Sequence, residues 1–137
     1  VEQRKYTTEQ EELVNISMPI VDEVKKHYPD LYPVRGEIVN LRPGKQLGMH
    51  IDIYWFHKHS KRIHVPIQTN EDCFQIFEDR EEHLSVGKIY EINNRIMHSA
   101  RNSGTEHRIH IIIDLMGKEH YEQLLIEKEK IALKVEV

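Results

Sequence analysis

Two side chains able to bind a metal stand two positions apart in Gly48-Met49-His50-Ile51-Asp52-Ile53-Tyr54-Trp55. On a β-strand, residues i and i+2 share a face, so His50 and Asp52 would converge on one point. The pair alone is weak. With 10 histidines and 23 acidic residues in 137 positions, about two His-x-Asp/Glu matches arise by chance. His120-Tyr121-Glu122 is one more and has no partners around it. A third ligand is offered by Ile96-Met97-His98-Ser99-Ala100. If Ile96 and Ala100 turn inward in a strand, so does His98.

Two histidines and one carboxylate make a facial triad, the arrangement of non-haem Fe(II) oxygenases, which keeps the remaining metal positions open. A single cysteine gives no cluster for a structural zinc. Arginines add a second theme. Arg108 sits in the apolar run His107-Arg108-Ile109-His110-Ile111-Ile112-Ile113-Asp114. A guanidinium buried there needs an anion, and its planar fork fits a carboxylate. Arg62 and His64 share one strand face, with Ile63 and Val65 on the other. A dicarboxylate that also chelates the metal would engage all of these groups. His110 shares the face of Arg108 and either lines that pocket or is a satisfied core histidine; the core reading is preferred.

The elements that must position these residues can be read from pattern. Thr8 caps a helix that runs to about His27, with Glu11 and Glu12 in its first turn. Leu13, Ile16, Ile20 and Val24 form its apolar face, and Pro19 predicts a kink or break. From Gly36 short strands follow: Glu37–Leu41, Leu47–Ile53, Arg62–Gln68, Phe74–Glu78, Lys88–Ile92, Ile96–Ala100 and His107–Leu115. Turn signals separate them, among them Pro43-Gly44, Val86-Gly87 and Asn102-Ser103-Gly104. Such a series fits a sandwich, a barrel or a jelly roll. A second helix is expected over about 118–128, and Ile131–Val137 alternates like a strand or forms a tail.

Composition bounds the rest. At 137 residues, 31% charged and 39% hydrophobic, the chain is an ordinary globular one, expected to form one domain over 1–137. It would comprise a helix at about 8–27, a core at about 36–115 and a helix at about 118–128. A net charge of −4 argues against a general nucleic-acid binder. No apolar run reaches membrane-span length, so no membrane partner is expected. One cysteine, Cys73, allows no internal disulfide and fits a reducing, cytoplasmic setting. It reads as a small buried strand residue rather than a nucleophile. The opening residues show no signal-peptide pattern, and Val1 in place of methionine leaves the true start open. Oligomeric state is not readable.

From Arg42 to Leu115 the chain resembles the aspartyl/asparaginyl β-hydroxylase family of Fe(II)- and 2-oxoglutarate-dependent oxygenases. The likeness rests on an ordered set. Pro43-Gly44 ends six residues before His50, and the Arg62-x-His64 strand follows. Gly87-Lys88-Ile89 leads to His98, eleven residues after the glycine, and Arg108 stands ten residues after His98 in an Ile-rich strand ending in Asp114. The resemblance implies a double-stranded β-helix, a cupin-like jelly roll that is mainly β with flanking helices. It implies that His50 and His98 bind iron, that Arg108 pairs with the distal carboxylate of 2-oxoglutarate, and that Arg62 and His64 contact the carboxylate nearest the metal. It also implies that O2 and 2-oxoglutarate are consumed to hydroxylate an unactivated C–H, giving succinate and CO2.

One departure matters. Animal aspartyl hydroxylases resemble this chain but carry glycine at the position of Asp52. Here the full triad stands, as in bacterial members that include free-proline hydroxylases. Asp52 is thus expected to be the third ligand, and a small-molecule substrate is open beside a peptidyl one. Tyr54 and Trp55, directly after the triad segment, either contact substrate as part of a lid or pack back on the barrel. His57 and His59 lie in the same segment, and His57-Lys58-His59-Ser60-Lys61-Arg62 reads as a solvated loop rather than a nucleic-acid patch. His27, His83, His107 and His120 read as surface residues. The competing readings are a cupin-type metal enzyme that uses no 2-oxoglutarate and a metal-binding protein without activity. A nucleic-acid demethylase would need a further arginine just past Arg108, where Ile111–Ile113 continue the strand.

Overall fold

The computed structural model describes residues 8–53 and 55–135, with side chains at 12, 15–53 and 57–126. The chain opens with α1 (Thr8–His27) and β1 (Tyr32–Leu41). One turn of helix, α2 (Trp55–Lys58), leads into β2 (Ser60–Gln68), β3 (Cys73–Phe77), β4 (Glu81–Glu82) and β5 (Tyr90–Ile92). β6 (His98–Asn102), β7 (Arg108–Met116) and α3 (Lys118–Val135) complete it. The strands form a four-stranded sheet in the order β1-β7-β2-β5 and a three-stranded sheet in the order β4-β3-β6. The architecture is a double-stranded β-helix, mainly β with flanking helices. Among the described residues no helix is long and apolar enough to cross a membrane.

β7 explains how the larger sheet is built. Its odd-numbered residues Ile111, Ile113 and Leu115 are buried with Ile63 of β2 and Val24 of α1. Ile20, Val21, Tyr28, Leu31 and Val65 pack against this cluster. α1 therefore covers the outer face of the sheet, where each fully buried aliphatic side chain contributes about 1.5–3 kcal/mol. The even-numbered residues Arg108, His110, Ile112 and Asp114 point the other way, and all four are buried as well. β2 pairs with β7 in register Arg62↔Asp114 and His64↔Ile112, so Arg62 and His64 face the same interior. Both faces of β7 are thus occupied, one by hydrocarbon and one by Arg108, His110 and Asp114 with Ile112 among them.

Several expectations need correction. Leu47–Ile53 forms no ladder, only two isolated bridges to β6, Gln46↔Arg101 and His50↔His98. The register slips by one residue between those bridges, which interrupts regular pairing as a bulge does. The strand-like alternation survives: Leu47, Met49, Ile51 and Ile53 face outward. Pro19 lies inside α1 without ending it; its exposed position leaves room for the ring on the solvent side. Ile96 is 43% exposed, because β6 begins only at His98. The end of the chain, read as a strand or tail from Ile131, continues α3 to Val135. Two turns read from sequence need glycine: Gly44 and Gly87 have φ of 75° and 86°, disfavoured for residues with a Cβ.

Candidate metal centre and anion pocket

The fold brings His50, Asp52 and His98 together, with one ligand atom from each all lying within 4.8 Å of one another. The backbones of His50 and His98 exchange two hydrogen bonds of 2.9 Å, which locks the triad segment to β6. Their rings sit 4.4 Å apart. His98 is buried, whereas the His50 side chain is 44% exposed.

The ring nitrogens show what this site can hold. Nδ1 of His50 donates to the Gly48 carbonyl at 2.7 Å, and Nδ1 of His98 donates to the Ile96 carbonyl at 2.8 Å. A carbonyl can only accept, so Nδ1 carries the proton and the neutral ring presents a bare Nε2. Those two Nε2 atoms face Asp52 Oδ1 at 3.5 and 3.8 Å. In that tautomer three lone-pair donors converge on one point. A divalent cation satisfies all three, and a backbone-anchored imidazole is the usual way to fix the liganding tautomer.

Arg62 holds the other side of Asp52. Its Nη1 lies 3.7 Å from Asp52 Oδ2 and 3.5 Å from Asp114 Oδ2, and its Nη2 lies 3.7 Å from Glu37 Oε2. Nη1 also donates to His57 Nε2 at 3.0 Å. His57 can accept only while neutral there, and burial, the largest influence, lowers its pKa in that direction. Arg62 therefore stands next to the triad with its charge shared among three carboxylates. Burial raises the pKa of Asp114, and Arg62 opposes the shift.

Farther along the interior lies a narrow crevice, too tight in this structure to admit a water, lined by Thr69, Cys73, Phe74, Gln75, Leu84, Arg108 and His110. Arg108 is 3% exposed, and its Nε and Nη1 have no hydrogen-bond partner. Gln75 Oε1 and His110 Nε2 are also buried without one. An unpaired guanidinium in such a place costs several kcal/mol, on the order of that for any uncompensated buried ion. Burial accordingly lowers its pKa. Gln75 pairs with Ala100, two residues along β6 from His98. At roughly 3.4 Å per residue the pocket lies about 7 Å past the triad.

His64 and His110 stand in this interior with their Nδ1 atoms 3.1 Å apart. Burial above all, and then nearby positive groups, pushes His64 well below its usual pKa and His110 down to about 3. An unfolded chain takes up these protons near pH 6.5 while the folded chain refuses them. Stability is therefore complete above pH 6.5 and falls as the pH drops below it. Urea unfolding of the metal-free protein should show a lower midpoint at pH 5.5 than at pH 7.5. Equal midpoints would mean that the rings are not buried neutral.

Of the residues singled out from sequence, the structure gathers His50, Asp52 and His98 at one point. Arg62 lies beside them, and Arg108 and His64 lie farther inside. Tyr54 and the side chain of Trp55 fall outside the described residues. Cys73 is buried at the start of β3. His120 is half-buried, its ring stacked on His59 at 3.9 Å. Sequence reading missed His57 and Gln75 and gave His110 to the core. Asp114 was visible, since it shares parity with Arg108 along one strand, but nothing in the sequence marked Gln75.

The sequence profile of the Aspartyl/Asparaginyl beta-hydroxylase family matches residues 2–117. The chain belongs to this family. Within it, the chain is similar to an L-proline cis-4-hydroxylase of Rhizobium meliloti (strain 1021), at 26% identity over 115 residues. That match takes in 83% of this chain but only 41% of the relative's length. Among solved structures, a non-heme monooxygenase, the ThoJ–Ni complex, superposes with a TM-score of 0.54 at 20% identity, covering 72% of this chain and 49% of its own. A conserved protein from Klebsiella pneumoniae with a double-stranded beta-helix domain matches at a TM-score of 0.47 and 21% identity, over 63% of this chain and 74% of its own. The family's hydroxylase character and the converging donor set agree in chemistry.

Proposed function

We propose that this chain is the catalytic core of an Fe(II)- and 2-oxoglutarate-dependent dioxygenase that hydroxylates an unactivated C–H of an amino acid or peptidyl side chain. The observation that carries the reading is Arg108: a buried, unpartnered guanidinium in a pocket just past a three-ligand metal site. A short dicarboxylate whose keto-acid end reaches the triad and whose far end reaches Arg108 satisfies both.

In this reading His50, Asp52 and His98 hold Fe(II), which supplies the redox chemistry that couples O2 to the substrate. 2-Oxoglutarate and O2 become succinate and CO2, and the second oxygen atom enters the C–H bond as a hydroxyl. Arg62 fixes the Asp52 carboxylate and lies close enough to meet the cosubstrate end nearest the metal. Arg108 fixes the far end. The buried Ile112 and Leu84 keep water from the interior. Asp52 and the likeness to a proline hydroxylase favour a small amino-acid substrate over a peptide. The net charge of −4 speaks against a nucleic acid.

Calorimetric titration of 2-oxoglutarate into anaerobic protein tests this directly. Binding is expected with Fe(II) or redox-inert Mn(II) present and is expected to weaken sharply without metal. Metal binding with no response to 2-oxoglutarate would instead support a cupin-type metal enzyme.

A further inference from the structure

β1 turns a carboxylate inwards beside the metal centre, and neither the triad nor Arg108 accounts for it. Glu37, Val39 and Leu41 pair with Ile112, His110 and Arg108 of β7, so they share its interior face. Their neighbours Gly36, Ile38 and Asn40 are exposed on the other face. The Glu37 side chain is 27% exposed and meets Arg35 through Oε1 and Arg62 through Oε2. Arg62 Nη2 is 3.7 Å from Glu37 Oε2, while Nη1 of the same guanidinium is 3.7 Å from Asp52 Oδ2. Glu37 thus stands one guanidinium's width from a metal ligand, at the open end of the site.

This mouth is short of donors. Glu37, Asp52 and Asp114 surround Arg62 at 3.5 to 3.7 Å, all longer than a good N–H···O bond. Asp52 Oδ2 and Asp114 Oδ1 are buried with no hydrogen-bond partner, and Asp114 is 1% exposed. Against these three carboxylates stand two guanidiniums, Arg35 and Arg62. With Asp114 ionised, the cluster carries a surplus negative charge; with Asp114 protonated, as its burial favours, the cluster is neutral. Fe(II) and the 2-oxoglutarate dianion cancel, and the histidine ligands are neutral, so loading the site leaves this balance as it is. In neither state is there a cation to spare for an anionic side chain. A group that donates N–H and brings positive charge fits both.

We propose that Glu37 selects the substrate by accepting a cationic nitrogen, either the α-ammonium of a free amino acid or a basic side chain, beside the metal. The inference rests on the cosubstrate reading above. In that reading Arg62 meets the metal-side end of 2-oxoglutarate, and Glu37 Oε2 exchanges a long contact for a short charge-assisted bond to the substrate. Arg35 stays on Oε1 and holds the carboxylate in place. A peptidyl aspartate would meet Glu37 as a like charge, which disfavours it.

The test is succinate release with Fe(II), O2 and 2-oxoglutarate over a panel of compounds: free L-amino acids, Nα-acetylated neutral and acidic ones, Nα-acetyl-L-lysine and Nα-acetyl-L-arginine. Free amino acids or the two basic acetyl derivatives should stimulate release. The first result assigns the α-ammonium, the second a side chain. The neutral and acidic acetyl derivatives should not stimulate it. For the best substrate, Glu37→Gln should raise KM about tenfold or more and leave the KM for 2-oxoglutarate where it was. Glu37→Asp, which keeps the charge on a shorter arm, should recover part of the loss. A Glu37 that merely held Arg62 in place would raise the KM for 2-oxoglutarate instead. That result, an unchanged substrate KM in Glu37→Gln, or equal turnover of the neutral acetyl derivatives overturns the proposal. Release that no cationic compound stimulates, while calorimetry with Mn(II) shows 2-oxoglutarate bound, overturns this inference alone. No 2-oxoglutarate binding by wild-type protein overturns the cosubstrate reading as well.

Discussion

Arg108→Leu should weaken 2-oxoglutarate binding by about 30-fold or more, and it should stabilise the ligand-free protein at the same time. The two effects have one origin. Arg108 is buried and its Nε and Nη1 meet no partner. Truncating a buried charged hydrogen-bonding partner typically costs about 2–5 kcal/mol of binding. The same charge is a burden until its anion arrives, and replacing buried ions with well-packed apolar groups is often stabilising by about 1–4 kcal/mol. Thermal melts of both proteins with and without 2-oxoglutarate and Mn(II) read both halves. Wild-type protein should gain stability from the ligand, and the variant should begin higher and gain little. A variant that melts lower without ligand and binds 2-oxoglutarate normally would place Arg108 among structural residues.

His50→Ala should abolish iron-dependent turnover with little change in fold. The side chain is 44% exposed, so its loss opens no core cavity. Removing a ligand should cost metal affinity more than the roughly 10–100-fold typical when a group that only orients a ligand is lost. Equilibrium dialysis against Fe(II) or Mn(II), alongside circular dichroism, separates metal loss from unfolding. His98→Ala should act alike on the metal, but it also empties a buried position, so its stability should fall further. Turnover that survives either change would remove the residue from the metal centre.

These residues were unequally visible in the sequence. Strand parity showed the triad: His50 and Asp52 share a face, and the spacing to His98 and Arg108 does not depend on loop shape. The alternation in β7 was equally plain, because Ile111, Ile113 and Leu115 have one parity and Arg108, His110 and Asp114 the other. What parity cannot show is which side chains meet across sheets. Gln75 reaches the pocket only because β3 lies in the opposing sheet. His57 meets Arg62 only because the chain makes a single turn of helix before β2. The irregular pairing of 46–50 with β6 was hidden for a similar reason, since a one-residue slip leaves no mark on hydrophobic alternation. His110 is buried, as the core reading expects, and it also lines the crevice, because burial and pocket lining look the same in one dimension.

β7 also has a consequence for how such a protein can diversify. Under the proposed function, one strand serves folding on its odd positions and ligand recognition on its even ones. Because Cα positions are shared but side chains are not, even-numbered residues can be exchanged while the hydrocarbon layer against α1 stays intact. On that reading, cosubstrate preference can drift by single-residue change without disturbing the core. A one-residue insertion has the opposite character. It would turn Arg108 and Asp114 towards α1 and the isoleucines towards the metal, so this strand can evolve by substitution but not by length.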